Sequence, residues 1–183
     1  MSADNYVIRD NEGYYFVTFT VIDWVDVFTR KTYKHELVNS LNYCVKDKNL
    51  NIHAWVIMSN HMHLIISGRN EVYLPGVIRD YKKFTSKKIY ERLGDSEESR
   101  SVWMKKKFEF AANRTRRNQD FKIWKDGYYA IPLDTLDQLK IKVDYIHANP
   151  VRSEIVYHPE HFLYSSARDY AGEKGLVDIE LLY

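Results

Sequence analysis

Two histidines one residue apart, His61 and His63, stand in the stretch SNHMHLII, at the start of a run of apolar residues. Side chains at positions i and i+2 of a β-strand lie on the same face, so a strand here presents two imidazoles side by side. Two neighbouring neutral imidazoles are a common beginning of a metal site. Half-buried strand histidines with ordinary hydrogen bonds are the alternative, and a third ligand and a reacting group are needed to decide.

The stretch DYIHANPVR supplies candidates for both. Tyr145 and Asn149 are four residues apart, so on a helix they lie on one face about one turn apart. Asn149 brings an amide oxygen that a hard cation accepts, and Tyr145 brings a phenol that can act as a nucleophile. The alternatives are that Asn149 before proline ends a helix, and that Tyr145 is one of 15 tyrosines with ordinary packing roles. His147 lies on another side of such a helix and is not expected to serve Tyr145 as a base.

Composition restricts the class of protein. The chain has 183 residues, 45% hydrophobic and 28% charged, which is typical of a globular protein with one domain. No apolar run approaches the roughly 18 residues that span a bilayer, and the polar N-terminal stretch does not resemble a signal peptide. The single cysteine, Cys44, excludes an internal disulfide framework and favours a reducing, cytoplasmic location.

Positive charge is concentrated in the middle of a chain whose net charge is only +2. Residues 79–92 carry six Lys and Arg against two acidic residues, and residues 100–125 carry nine against two. This distribution indicates a surface for a polyanion. A solvated helix face explains charge runs equally well when charge is the only observation.

The apolar periodicity predicts the elements that must position these residues. Strands are expected at 14–22, 52–58 and 61–66, with a further strand, a turn at Asp126–Gly127 and an extended piece within 121–133. Helices are expected at 32–48, 74–93, from Asp134 to Asn149–Pro150, and at 165–171, whereas 95–118 is the least regular segment. The order β-α-β-β-α-β-α predicts an α+β sandwich of ferredoxin-like or RRM-like type, with helices packed on one face of a central antiparallel or mixed sheet.

Four segments, in this order, resemble the single-tyrosine HUH transposases, also described as IS200-like transposases. They are WVIMSNHMHLIIS, LPGVIRDYKKFTSKKI, DGYYAIPLDTLDQLKIKVDYIHANPVRSEIV and FLYSSARDYAG. The similarity runs from Tyr14 to Gly172 and is nearest to the branch of REP-associated tyrosine transposases. A His-hydrophobic-His motif is unspecific alone, but joined to YIHANPVR about 80 residues later it is highly specific. Ser59 and Lys125 depart from residues common in the family, and neither belongs to the expected site.

The resemblance implies a metal-dependent transposase that cleaves and rejoins single-stranded DNA. His61, His63 and Asn149 would bind Mg²⁺ or Mn²⁺, and Tyr145, on a C-terminal helix, would attack the scissile phosphate. A covalent 5′-phosphotyrosine and a free 3′-hydroxyl would result, and rejoining would need no ATP. The seven scattered glycines, which form no phosphate-binding loop, agree with this expectation. Lys142 is a candidate for assisting ionisation of the phenol, and a solvated helix lysine is the alternative.

The partner that the resemblance implies is single-stranded DNA folded into a hairpin. Basic side chains in the middle of the chain would hold its backbone. They are Lys82, Lys83, Lys87, Lys88, Lys105, Lys106, Lys107, Arg114, Arg116 and Arg117. Trp103, Phe108 and Phe110 would stack on unpaired bases or belong to the core.

One HUH transposase domain is expected over residues 1–183, with a core at about 14–150 and a C-terminal extension at 151–183. No membrane partner is expected, and the protein would be cytoplasmic and associated with the nucleoid when bound to DNA. The oligomeric state is left open between a monomer and a homodimer. Insertion-sequence relatives are dimers that exchange the tyrosine helix between subunits, whereas the REP-associated branch looks monomeric.

Two other functions compete with this one. The first is a domesticated module that binds hairpin DNA or RNA and has kept the fold without catalysis. The second is a metal-dependent hydrolase of small phosphoesters, which the His pair alone suggests and which explains neither Tyr145 nor Asn149.

Overall fold

The computed structural model describes residues 8–95, 98–115 and 119–183. Over these ranges the chain forms a four-stranded sheet and five α-helices. The strands are β1 (Tyr15–Thr20), β2 (Leu50–Ile57), β3 (His61–Gly68) and β4 (Tyr129–Pro132). The helices are α1 (Lys31–Asp47), α2 (Leu74–Asp95), α3 (Ser101–Asn113), α4 (Leu136–Arg152) and α5 (Ala167–Tyr170). None of the helices in these ranges is long and apolar enough to cross a membrane.

The strands lie in the order β2-β3-β1-β4, and each neighbouring pair is antiparallel. The central strand β1, with the sequence YFVTFT, is aromatic or β-branched and contains no breaker, which suits a position that is paired on both sides. This strand order and the β-α-β-β-α-β succession give the ferredoxin-like arrangement of an α+β sandwich. The predicted fold class is therefore confirmed.

The two faces of the sheet carry different helices, so the expectation that the helices pack on one face was wrong. Helices α1 and α2 pack together on one face, where the hydroxyl of Tyr81 lies 3.5 Å from the sulfur of Met62. Helix α4 packs on the other face, where Tyr145 contacts Phe16 and His63. Because side chains alternate along a strand, Met62 points into the core between sheet and helices while His63 points toward α4.

Helix α4 has a fixed beginning and an end that differs from the predicted one. The Thr135 hydroxyl accepts the N–H of Gln138, and the Gln138 side chain accepts the N–H of Thr135, which is a capping box. The helix was expected to stop at Asn149–Pro150, but it continues to Arg152. The turn after Pro150 closes through the N–H of Ser153 on the carbonyl oxygen of Asn149, so proline is accommodated in the last turn.

The segment expected to be least regular contains helix α3. Its apolar face is formed by Met104, Phe108, Ala111 and Ala112, which have helical spacing and are buried. The many lysines between them obscured this spacing in the sequence. The strand expected at the start of 121–133 was also wrong, since Trp124 makes only an isolated bridge to Val21.

The C-terminal segment covers the outer edge of β2. The N–H of Ile57 bonds to Tyr164, the N–H of Ser166 bonds to Trp55, and the N–H of Glu180 bonds to the carbonyl oxygen of Ile52. An uncovered edge strand offers unpaired backbone groups to other chains. The chain after α4 removes that possibility along β2.

Candidate active site

The two histidines of the HMH motif lie on the sheet face that α4 covers. His61 pairs with Thr20 of β1 and His63 with Thr18. The centroids of the two imidazoles are 4.9 Å apart. His63 is 6% exposed, whereas His61 is half-buried at the end of the strand. The strand therefore presents the pair side by side, as the i and i+2 spacing predicts.

Each imidazole is oriented by a hydrogen bond at its Nδ1 atom. Nδ1 of His61 is 2.8 Å from Oδ1 of Asn60, and Nδ1 of His63 is 2.8 Å from Oγ1 of Thr18. An amide oxygen only accepts, so Nδ1 of His61 carries the proton and Nε2 keeps its lone pair. Nε2 of each ring has no hydrogen bond within the described ranges. Nε2 of His61 can thus bind a ligand, and His63 offers Nε2 as well in the tautomer that donates Nδ1–H to the Thr18 hydroxyl.

The surroundings of the pair keep both imidazoles neutral. Burial lowers the pKa of His61, and burial together with the charges of His61 and Lys142 lowers the pKa of His63 to about 3. Neutral imidazole is the form that binds metals. The site can therefore bind a cation at neutral pH without first losing a proton from either ring.

Tyr145 completes this cluster from α4. Its ring lies 5.4 Å from the His63 ring and 5.9 Å from the Phe16 ring, and the Phe16 ring stacks on that of His63 at 5.2 Å. The phenol is half-buried. Strand β3 and helix α4 thus bring the HMH motif and the stretch DYIHANPVR into contact.

Two cations flank the phenol. Nζ of Lys142 is 5.4 Å from the centroid of Tyr145 and 4.6 Å from that of Phe16. The guanidinium of Arg152 is 5.5 Å from the Tyr145 ring. Positive charge beside the phenol favours the approach of a phosphate.

Asn149 is directed back along its own helix. Its Nδ2 donates to the carbonyl oxygen of Tyr145 at 2.7 Å, which fixes the orientation of the amide. In the parts of the chain that the structure describes, no group of three His, Cys, Asp or Glu side chains could hold a metal ion. The available donors are two imidazoles, to which the amide oxygen of Asn149, water or a substrate oxygen would be added.

His147 takes no part in this cluster. It is buried, and its Nε2 lies 2.8 Å from the hydroxyl of Ser166, whose oxygen also accepts the N–H of Trp55. The side chain therefore fastens α4 to the C-terminal segment. This agrees with the expectation that it does not face Tyr145.

The predicted DNA-binding lysines of α2 have different surroundings. Lys83 is exposed, and Lys87 and Lys88 form surface ion pairs with Glu91. Nζ of Lys82 donates instead to the carbonyl oxygens of Lys125, at 2.8 Å, and Gly127. Lys82 therefore has a structural role in that turn, and its contact with DNA stays a prediction.

The basic residues of α3 are dispersed along its surface. Lys105 lies over the ring of Tyr90, Lys106 is exposed, and Lys107 forms an ion pair with Asp23 at 2.9 Å. Arg114 lies over the ring of Phe110. The two remaining predicted residues lie outside the described ranges; these are Arg116 and Arg117.

The three aromatic residues proposed to stack on bases separate into two groups. Trp103 is 53% exposed and Phe110 is 61% exposed, so both rings are accessible. Phe108 is fully buried in the apolar core and cannot meet a base. Helical spacing distinguishes them, because Phe108 follows Met104 by four residues.

Sequence patterns did not identify several residues that surround the site. Two of them, Thr18 and Asn60, form hydrogen bonds that orient the histidine rings. The other two lie beside the site: Arg152 is next to the Tyr145 ring, and Trp24 is 6.2 Å from the His61 ring. Only Thr18 carried a signal, since it alternates with Phe16 on the strand that must pair with the HMH strand. Tertiary contacts place the others.

Comparisons with known proteins relate the chain to a family and to a fold. A family model described as "Transposase IS200 like" matches residues 11–113, more than half of the chain. No functionally curated protein matches the chain.

One solved structure shows the same fold. It is described as a REP-associated tyrosine transposase bound to a REP hairpin, and it has a TM-score of 0.59 and 18% sequence identity over 100% of this chain and 93% of that one. Another, named as a candidate transposase of Deinococcus radiodurans, has a TM-score of 0.36 and 12% identity over 80% of this chain and 95% of that one.

Proposed function

The chain belongs to the IS200-like transposase family, and on that premise we propose that it cleaves and rejoins single-stranded DNA through Tyr145. The observation that carries the proposal is the contact between the Tyr145 ring and the His63 ring at 5.4 Å. A nucleophile beside a pair of oriented, neutral imidazoles is an arrangement that can carry out phosphodiester cleavage with a divalent cation.

The donor set fits Mg²⁺ or Mn²⁺. His61 and His63 would hold the cation through Nε2, because Nδ1 of each ring is already engaged. Asn149 would add its amide oxygen, since its Nδ2 is the atom used by the Tyr145 carbonyl. When bound, the cation would polarise the scissile phosphate and offset the charge that develops on its oxygens.

The chain's own residues would carry out the covalent step. The phenol oxygen of Tyr145 forms a bond to phosphorus while the bond to the 3′-oxygen of the preceding nucleotide breaks. The phenol proton is lost and the departing 3′-oxygen gains a proton. Lys142 and Arg152, both near the ring, would favour the phenolate and hold the phosphate. A free 3′-hydroxyl then reverses the reaction on the 5′-phosphotyrosine, which explains strand rejoining without a nucleotide cofactor.

We infer that the DNA is a single strand next to a hairpin. The solved structure of similar fold is bound to a REP hairpin, which supports this class of ligand. In this chain, exposed basic side chains on α2 and α3 would contact its phosphates, as with Lys83, Lys106 and Arg114. Residues 1–183 would act as one transposase domain, with the core at about 14–150 and the extension at 151–183.

The site is completed within one chain, since Tyr145 contacts the His63 of its own subunit. This supports a protein that can act as a monomer. A homodimer that exchanges α4 between subunits is the other possibility, and light scattering of the purified protein distinguishes the two masses.

The function is tested with hairpin oligonucleotides from repeats that flank the gene, labelled at either end, with and without Mn²⁺. A metal-dependent covalent adduct should appear on a denaturing gel, carry the label downstream of the cut, and disappear in Tyr145→Phe. Phenylalanine keeps the ring contacts with His63 and Phe16, so the variant should fold normally. Binding to several hairpins without an adduct would support a non-catalytic binding module instead.

A further inference from the structure

Trp24 is an exposed aromatic residue at the edge of the site. It is 57% exposed, and its ring meets the His61 ring edge-on at 6.2 Å between centroids. Nζ of Lys125 lies 4.4 Å from the centroid of the indole. By contrast, Trp55 and Trp124 are buried. The side chain of Trp24 contributes little to the core, so its position needs another explanation.

The backbone at Trp24 is in an unfavourable conformation. Asp23 has φ 50° and Trp24 has φ 56°, both in the left-handed region that bulky side chains rarely adopt. Such conformations persist where the surroundings enforce them, and they occur most often at functional sites. Here an ion pair between Asp23 and Lys107, with 2.9 Å between their charged atoms, holds one side of the turn.

A single side chain connects this turn to the histidine pair. Nδ2 of Asn60 donates to the carbonyl oxygen of Trp24 at 3.3 Å and to Oδ1 of Asp26 at 3.0 Å. Oδ1 of the same amide accepts from Nδ1 of His61 at 2.8 Å. The backbone that carries the indole is therefore linked through Asn60 to the imidazole that is proposed to bind the cation.

Positive charge lies on the indole and on the residue before it. A hydrogen bond from Lys107, with the charges of Lys107, Arg114 and Lys125, lowers the pKa of the Asp23 carboxyl. These cations come from two parts of the chain, since Lys107 and Arg114 belong to α3 and its C-terminal cap, and Lys125 precedes β4. An exposed aromatic ring among cations is the combination with which proteins bind single-stranded nucleic acid, the ring for a base and the cations for phosphates.

We propose that the indole of Trp24 stacks on the nucleobase next to the phosphate that is cleaved, and so positions that phosphate between the histidine pair and Tyr145. Lys125 covers one face of the indole, and the exposed opposite face would receive the base. Trp24 would then be a substrate-positioning residue, in the sense that it sets where the strand enters the site. The inference rests on the proposed function, because it needs a single strand at His61 and His63.

Three variants of Trp24 separate stacking from folding. Trp24→Phe keeps an aromatic ring, Trp24→Ala removes it, and Trp24→Gly also relieves the left-handed backbone. Tyr43→Ala is the matched control, since Tyr43 is 53% exposed with Lys48 over its ring, on α1 at the opposite face of the sheet. The rate of adduct formation and the melting temperature are measured for each.

The substrates are the hairpin oligonucleotide and versions with one abasic nucleotide at each position around the cut. Base stacking on an aromatic ring is worth about 5- to 150-fold, so Trp24→Ala and Trp24→Gly should slow adduct formation by about 10-fold or more. Trp24→Phe should be intermediate and Tyr43→Ala unchanged. With the wild-type protein, an abasic nucleotide at one position should slow adduct formation as much as Trp24→Ala does. With Trp24→Ala, the same abasic nucleotide should not slow adduct formation further. The melting temperature of Trp24→Gly should equal or exceed that of the wild type.

The inference would be overturned if Trp24→Ala formed the adduct at the wild-type rate. It would also be overturned if every abasic nucleotide slowed adduct formation in Trp24→Ala as much as in the wild type. If the wild-type protein forms no adduct, the proposed function fails, and binding of fluorescent oligothymidine is compared instead. Weaker binding by Trp24→Ala than by Tyr43→Ala would then support stacking on its own. Equal binding by the two variants would reject it.

Discussion

The ring of Tyr145 lies against the ring of His63, 5.4 Å from centroid to centroid, although Tyr145 belongs to helix α4 and His63 to strand β3. Phe16 contacts both rings. Three elements therefore hold the proposed nucleophile and the proposed metal ligand in one cluster, and the orientation of each ring becomes testable.

The hydroxyl of Thr18 orients His63, so its loss should weaken metal binding without removing a ligand. In Thr18→Val we expect the Mn²⁺ concentration for half-maximal adduct formation to rise by about 10- to 100-fold, as for other partners of metal-binding histidines. Thr18→Ser should behave as the wild type. Thr32→Val, an exposed threonine on α1, is the control, and an unchanged Mn²⁺ requirement in Thr18→Val would contradict the role.

Lys142 should assist the phenol of Tyr145, because its ammonium is the cation nearest to both that ring and Phe16. We expect Lys142→Ala to slow cleavage at neutral pH by about 10-fold and to move the rise of the pH–rate profile to higher pH. Lys140→Ala removes an exposed lysine from the same helix and should leave the profile in place. A profile that does not move in Lys142→Ala would exclude this role.

Binding of the hairpin should weaken steeply with salt, since cations on α2 and α3 are proposed to contact phosphates. For single strands, each contact contributes a slope of about −0.7 in a plot of log K against log salt. Arg114→Ala should reduce the steepness by about that amount. Lys46→Ala, an exposed lysine on α1 that is not part of the proposed surface, serves as the control. An affinity that is independent of salt would argue against the proposed surface.

Lys82 should matter for stability more than its neighbour Lys83. Its ammonium donates to two carbonyl oxygens in the turn at Lys125–Gly127, whereas Lys83 is exposed. We expect Lys82→Ala to lower the free energy of unfolding by about 1 kcal/mol and Lys83→Ala to leave it unchanged. Urea denaturation measures both. Equal stabilities in the two variants would show that the turn does not depend on Lys82.

Glu98 should make the protein sensitive to acid. Its carboxylate is buried against Arg100 and Arg30, and hydrogen bonds from these residues lower its pKa to about 2. A carboxyl with a lowered pKa in the folded state stabilises the protein above its ordinary pKa and loses that contribution as pH falls toward 2. Between pH 6 and pH 3 the wild type should lose on the order of 1–2 kcal/mol more than Glu98→Gln.

Urea denaturation at the two pH values tests this expectation. Glu91→Gln is the control, because Glu91 forms only surface ion pairs with lysines on its own helix. The same dependence on pH in the wild type and in Glu98→Gln would show that the pair of arginines contributes nothing.

Local patterns predicted most of the framework. The apolar alternation in the HMH strand, the helical spacing before Tyr145 and the order of elements were sufficient for an α+β sandwich with both motifs on it. Helix α3 was missed because its apolar face is narrow and surrounded by lysines, so that burial against α2 completes a helix that composition alone does not favour.

The sequence by itself determined that His61 and His63 share a face and that Tyr145 and Asn149 lie one turn apart, since these relationships depend only on strand and helix periods. Tertiary structure alone decided that α4 covers the histidine face, that Thr18 and Asn60 orient the rings, and which charges are engaged elsewhere. Register across a sheet and contacts between distant segments create these relationships, and spacing along one segment does not contain them.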